Sequence, residues 1–463
     1  MTGPLDTTTA RRRYITVCVL LWLPSGLAIA PLILLFTERG MTTVVITGLF
    51  AAGSLTAAAL QLPAGGLSDT LGRRTVLAAA GSMNLAGLAL VGLGTVPWLL
   101  GAGMSLLGAG RALSSGPAEA WYVDIVQAQS GPSTELRTGL ARGGSGTYAA
   151  LAVGTLLGGA LPWLLGLGPD LGARLSAATS DLVLPLSVPL LLGAAVEIPF
   201  ILYVLTALVE PPRPAVTLLD ALRGIPATGA GALRLGGSDA LVRRVFLSAG
   251  AAGSALATME LLTPGRISAL TGAPDSGAVV FAVLACAGYI CSSIGSHLVP
   301  LTARLAGSGE RVVMVSLGAS ASGLLLLGTT AAFTGVGSMI LGAAGYGLVY
   351  LGLGTAGPSE NDLLHRRVAS SGRATALSVQ SFALQLAAAL SGLIIGVLPS
   401  GPSPWLFGGA VLFAGALLWI HRSEPASATP AATPLPYTLS SPPSTGACDP
   451  QQDADQYAGT NGS

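Results

Sequence analysis

Apolar residues in this chain gather into runs close to the ~20 residues that a helix needs to cross a bilayer. The runs fall at about 15–36, 42–64, 75–95, 97–123, 144–167 and 183–208, and again at 245–264, 277–301, 312–333, 336–356, 374–398 and 404–420. A polar stretch at 209–244 separates the two groups of six. The pattern predicts an all-α multi-pass membrane protein with twelve transmembrane helices in two six-helix halves. Its parts are a short N-terminus (1–14), a first bundle (15–208), a central loop (209–244), a second bundle (245–421) and a tail (422–463). Proline and glycine inside the runs argue little against helix, because neighbouring membrane helices re-satisfy the backbone. The tail, rich in Pro, Ser, Thr and Ala with no apolar period, reads as disordered.

Composition agrees. The 463 residues are 51% hydrophobic and only 9% charged, with mean hydropathy +0.70, whereas a soluble domain carries about a quarter charged residues. Water-soluble globules, disordered polymers and secreted disulfide scaffolds are excluded together. Cys18, Cys286 and Cys291 lie in apolar runs and Cys448 in the tail. Cys286 and Cys291 sit roughly 140° apart round a helix, too far to bridge.

Arg11, Arg12 and Arg13 precede an apolar run through Ala28-Ile29-Ala30, which has the form of a secretory signal and its cleavage site. Pro31 follows at once and the run continues to Phe36, so a retained first helix is expected. All 22 basic residues are arginine. With the N-terminus inside, eighteen lie in cytoplasmic segments and Arg39, Arg174 and Arg266 outside, with Arg111 alone left in a span. This asymmetry places both termini in the cytoplasm. The absence of lysine beside 64 glycines suggests a GC-rich bacterial genome, hence a bacterial cytoplasmic membrane.

The halves look like copies. Gly116-Pro117-Ala118-Glu119 in the fourth run and Gly357-Pro358-Ser359-Glu360 in the tenth stand at matching places, as do Leu161-Pro162 and Leu398-Pro399. Together they suggest a parallel repeat about an axis normal to the membrane.

Between the second and third runs stands Gly65-Gly66-Leu67-Ser68-Asp69-Thr70-Leu71-Gly72-Arg73-Arg74-Thr75-Val76-Leu77. This segment resembles the loop signature of the major facilitator superfamily, G-x-L-x-D-x-x-G-R-R/K-x-x-L, at every defined position. The resemblance extends over residues 14 to 421 through the helix count, the central loop and the repeat. It implies that Gly65, Asp69, Gly72, Arg73, Arg74 and Asp124 form a cytoplasmic gating motif, in which a charge cluster braces the halves when that side is closed. Gly72 suits the turn that releases Arg73. The counterpart in the second half is degraded to Gly295, Leu298, Arg304 and Arg311.

The fourth run reads Gly110-Arg111-Ala112-Leu113-Ser114-Ser115-Gly116-Pro117-Ala118-Glu119-Ala120 and resembles the fourth helix of bacterial exporters of this superfamily. Arg111 lies 13 residues, ~20 Å, before Asp124, in the outer half of the bilayer. A guanidinium there costs at least about 2.5–3.5 kcal/mol unless it faces water or a partner. Arg111 is therefore expected to face a cavity and act on substrate or proton, the alternative being a structural cation satisfied by carbonyls or a buried acid. Glu119 is either a proton site or a helix-end group, and Glu260 either a gate residue or a solvated end beside Arg266. In the superfamily, helices three, six, nine and twelve pack outside the cavity, which favours Glu197 as a structural acid over a carrier of protons. Gly154, Gly158 and Gly159 form a small-residue face on the fifth run. Gln61, Tyr148, Tyr289, Tyr346, Gln380 and Gln385 are the cavity candidates, each equally able to serve as a bond between helices. His297 and His365 read as solvated.

No phosphate loop, His/Cys metal spacing or paired-carboxylate motif is present, so neither an enzyme, a cofactor nor a metal is expected. The expected function is secondary transport of a small organic molecule, proton-coupled efflux of a drug or antibiotic-like compound, with uptake of a sugar or other metabolite as the alternative and a membrane enzyme or receptor as a further one. The expected partners are the substrate, protons and the lipid bilayer, with no nucleic acid and a monomeric chain.

Overall fold

A computed structural model describes residues 6–130, 136–210, 237, 239–368 and 373–420. Most of the central loop and the tail lie outside the described residues. The chain is all-helical there. The first half holds α1 (Thr7–Ile29), α2 (Leu32–Glu38), α3 (Thr43–Leu71), α4 (Arg73–Leu93), α5 (Pro97–Ser114), α6 (Pro117–Ser130), α7 (Arg137–Leu165), α8 (Leu171–Ala178) and α9 (Val188–Ala207). The second holds α10 (Ala240–Thr271), α11 (Pro274–Ala306), α12 (Gly309–Thr330), α13 (Val336–Arg367), α14 (Arg373–Val397) and α15 (Ser403–Leu417). Ten crossings are long and apolar enough to span a membrane as single stretches; the fourth is split between α5 and α6, and the twelfth, α15, is shorter. The protein is a multi-pass integral membrane protein.

Two breaks depart from the unbroken runs expected from sequence. The first crossing bends at Ala30-Pro31, where proline brings no N–H to continue the ladder into α2. The fourth breaks at Ser115-Gly116 because Gly116 adopts φ +97°, a conformation that favours glycine, and Pro117 opens α6. Several helices also run past the apolar stretch. α3 continues through the loop signature to Leu71, and α13 reaches Arg367, because polar residues outside the hydrocarbon still complete helical hydrogen bonds.

Helix neighbours repeat between the halves. α1 packs on α7 and α9, α3 on α5, and α4 on α5 and α9; correspondingly α10 packs on α14 and α15, α11 on α13, and α12 on α13 and α15. The halves meet chiefly along two equivalent seams, α3 against α14 and α7 against α11. The small-residue face of α7 is divided between two partners. Gly154 and Gly158 approach the backbone of α1 at Leu23 and Leu27, whereas Gly159 turns to α11, where a Cβ would lie 2.6 Å from the carbonyl oxygen of Ala278 and from Ala282 Cβ. In the other seam Gly396 lies directly against Thr47. All of these inter-half approaches sit at the end of the molecule that carries the short loops at 39–42, 94–96 and 398–402, remote from Arg73. The halves are therefore closed together at that end.

Candidate functional site

Between the halves lies a cavity of about 440 Å³, walled by α1, α2, α3, α4, α5, α7, α9, α10, α11, α13 and α14. Its surface is largely apolar, with Leu32, Phe50, Leu88, Met104 and Phe281 among the lining side chains. Arg111 lines it from the last turn of α5 and Glu260 from the middle of α10. Both side chains face open space within the protein. Tyr289, Tyr346 and Gln385 complete the predicted residues that reach this wall.

The other predicted residues stand elsewhere. Gln61 donates a hydrogen bond to Ser115 Oγ at 3.3 Å, tying α3 to the break in the fourth crossing. Gln380 donates to Glu360 Oε2 at 3.5 Å, a contact between α14 and α13. Tyr148 is 59% exposed on α7. Glu119 lies beyond the Gly116 break and within electrostatic reach of Tyr14 and Cys18 on α1; the break separates it from the face that Arg111 presents. Arg266 does not serve Glu260. Its guanidinium donates to the carbonyls of Thr330, at 3.0 Å, and Phe333, and to Ser338 Oγ at 3.4 Å, so it fastens the end of α10 to the α12–α13 turn. His297 and His365 are exposed.

The loop signature folds as the junction of α3 and α4. Gly72 has φ +96° between the two helices, and Arg73 forms an ion pair with Asp124 on α6. Gly65 lies within α3, and the side chain of Asp69 lies outside the described residues. Arg74 contributes its backbone: its N–H donates to Glu210 Oε1 at 2.9 Å, so a carboxylate caps the positive end of α4. Trp121 Nε1 donates to the Val209 carbonyl at 3.0 Å and Arg13 to that of Ala207. The end of α9 is thus pinned by α1, α4 and α6. Across the second half, Arg367 at the end of α13 pairs with Asp239, which caps α10 through the N–H groups of Leu241 and Val242. Burial pushes the Asp239 carboxyl up, but these donors outweigh it and hold it below the ordinary carboxylate range.

Three polar lining residues stood outside the cavity candidates: Asn84 and Tyr350, which were not singled out, and Glu197, which was read as a structural acid. Asn84 on α4 and Glu197 on α9 reach the wall together, although helices three and six were expected to stand clear of it. Glu197 is 0% exposed and neither carboxylate oxygen has a hydrogen bond of normal geometry, Asn84 being its polar neighbour. Gly110 on α5, directly against the Asn84 amide, leaves the space that Asn84 occupies. The visible signal was a lone amide inside the apolar third run. Tyr350 is the third; four residues after Tyr346, it shares that residue's helix face.

At the short-loop end, Arg39 donates to the carbonyls of Gly92, at 2.5 Å, and Leu182, at 3.3 Å, and to Ser187 Oγ at 3.1 Å. It joins the end of α2 to the end of α4 and to the turn before α9. Burial pulls its guanidinium below the ordinary arginine range, with Glu38 opposing.

Comparison with solved structures gives the same fold. Nucleoside transporter NupG matches with a TM-score of 0.67 at 12% identity, over 89% of this chain and 100% of that one. A D-xylose-proton symporter matches at 0.65 and 16% identity, over 89% and 96%. A structure from the proton-dependent oligopeptide transporters matches at 0.63 and 12% identity, over 89% and 98%. No family model matches the sequence, and no curated protein matches it.

Proposed function

We propose that this chain is a secondary transporter of the major facilitator superfamily that moves a small organic molecule across the membrane by alternating access. The observation that carries the reading is the cavity shared between two repeated halves and closed at one end by close backbone approach. Two halves joined along two equivalent seams can rock about a midplane site and expose it to one side at a time. The arginine asymmetry makes the closed end the outer one, so the cavity faces inward. The loop signature and the fold it shares with solved nucleoside, sugar and peptide transporters support the family.

Proton-coupled efflux of an amphiphilic, drug-like compound is the leading reading of direction and substrate. It is supported by the exporter-like fourth helix and by a cavity with an apolar surface and few charges. Uptake of a sugar or similar metabolite is supported by Asn84, Gln385 and the tyrosines, which suit hydroxyl groups. Proton coupling is assigned to Glu197. A buried carboxylate whose polar neighbour is a neutral amide, Asn84, and not a cation is costly to ionise in the membrane, so gaining and losing its proton would accompany a change in its surroundings. The deciding experiment is a susceptibility panel in a pump-deficient bacterial host, with and without a proton uncoupler, paired with sugar and nucleoside uptake in the same cells. Export predicts uncoupler-sensitive resistance to at least one compound. Accelerated uptake with no resistance would assign the opposite direction, and neither effect would reject transport.

A further inference from the structure

Of the ionisable acids and bases lining the cavity, Glu197 is fully buried, whereas Arg111 and Glu260 face its open space, one from each half. Glu260 lies within electrostatic reach of Arg111. Among the described residues, however, neither side chain forms an ion pair. Two opposite charges on the wall of one cavity, within electrostatic reach but not joined in an ion pair, are favourable sites for a ligand that completes both.

The surroundings of the two charges differ in kind. Glu260 interacts electrostatically with Tyr289, Tyr346 and Tyr350. The Tyr346 and Tyr350 rings stand 4.9 Å apart, and Tyr289 meets Tyr350 edge-on at 6.5 Å. This crowding rests on Gly288, where a Cβ would lie 2.7 Å from the Tyr346 ring. A carboxylate beside a cluster of electron-rich rings is an environment for an ammonium group. Arg111 instead has Met104, Leu107, Gly108 and Ser114 beside it along α5, and its planar fork suits a carboxylate or phosphate. A lone cation would leave Arg111 unpaired, and a lone anion would leave Glu260 unpaired.

We propose that the substrate is a small zwitterion with an apolar body, its ammonium group held by Glu260 and the tyrosine cluster and its anionic group by Arg111. The site therefore spans both halves. This deepens the transporter reading and rests on it.

The test uses the full chain with its native cysteines replaced, carrying either Leu256→Cys, one helical turn from Glu260, or Leu107→Cys, one turn from Arg111. Labelling rates are read with a cationic trimethylammonium-ethyl methanethiosulfonate and an anionic sulfonatoethyl one. The ratio of cationic to anionic rates is expected to be roughly tenfold higher at Leu256→Cys than at Leu107→Cys. Glu260→Gln should remove the excess at the first position and Arg111→Gln at the second, whereas Glu260→Asp and Arg111→Lys should keep it. Terminally aminated butyrate, hexanoate and octanoate then serve as ligands. At least one should slow labelling at both positions, while hexylamine slows it only at Leu256→Cys and hexanoate only at Leu107→Cys. Equal ratios at the two positions, or amine and acid each protecting both as well as the amino acids do, would overturn the proposal. Failure of the transporter reading is distinguishable, since it would show as labelling from the same side of the membrane under every condition.

Discussion

Gly159→Ala should push the molecule away from the state closed at its short-loop end. The added Cβ would lie 2.6 Å from the Ala278 carbonyl oxygen, whereas ordinary contact begins at 3.4 Å, a shortfall of about 0.8 Å. The obstacle is backbone on α11, so no rotamer change relieves it. Overpacking of this kind costs about 1–3 kcal/mol. That strain exists only while α7 and α11 are pressed together, so it is released when the seam opens. A differential of that size shifts a two-state ratio by roughly 5–150-fold. Gly158→Ala is the control: on the adjacent residue, its Cβ would meet the Leu27 backbone within the same half, so it should lower stability without changing which side is open. The assay is the reactivity of Ser54→Cys, in the cavity wall, toward a membrane-impermeant thiol reagent applied from the short-loop side. Gly159→Ala should raise it at least about fivefold at unchanged protein abundance. An unaltered rate in a folded Gly159→Ala protein, or an equal rise in Gly158→Ala, would refute the claim that this seam is the barrier.

Glu197→Gln should fold normally, since the amide keeps the shape beside Asn84 and removes a buried group that no cation pairs, but its transport should lose its response to an uncoupler while exchange of substrate persists; the check is counterflow against pH-driven flux in proteoliposomes. Arg39→Ala should destabilise the protein by about 2–3 kcal/mol by removing charged hydrogen bonds to the ends of two helices, and Arg39→Lys should recover only part of it in a thermal melt. Asp239 is held below its unfolded pKa, so its stabilisation is present above the ordinary carboxylate range and lost as pH falls through the depressed value. Asp239→Asn should therefore lower the melting temperature at neutral pH and narrow its difference from the parent in acid.

The twelve crossings were legible in the sequence because an apolar run of bilayer length is rare outside membrane helices. The breaks were less so. Pro31 and the Gly116-Pro117 step carry the signals for them, but proline and glycine are common in membrane helices, and only the φ of Gly116 marks an actual break. The site was half legible. Arg111 stood out as the one arginine within a span, and the structure places it on the cavity wall. Glu260 read ambiguously because Arg266 follows it six residues later, and nothing in the sequence reveals that Arg266 is occupied by the carbonyls of Thr330 and Phe333. Asn84 was missed for a different reason. Whether a polar side chain on a peripheral helix reaches inward depends on the size of what stands before it, here Gly110, and a hydropathy pattern does not record that clearance.

The central claim is that the two halves rock about the shared cavity, and distances across both faces of one protein test it most directly. Spin labels at Val44 and Val397, both exposed near the short-loop ends of α3 and α14, report one face; labels at Thr75 and Leu305, exposed near the opposite ends of α4 and α11, report the other. The account predicts two populations at each face that exchange in opposite senses, so that whatever lengthens the Val44–Val397 distance shortens the Thr75–Leu305 distance. Gly159→Ala should move both in those directions. A single fixed distance at each face, or two faces that widen together, would contradict it.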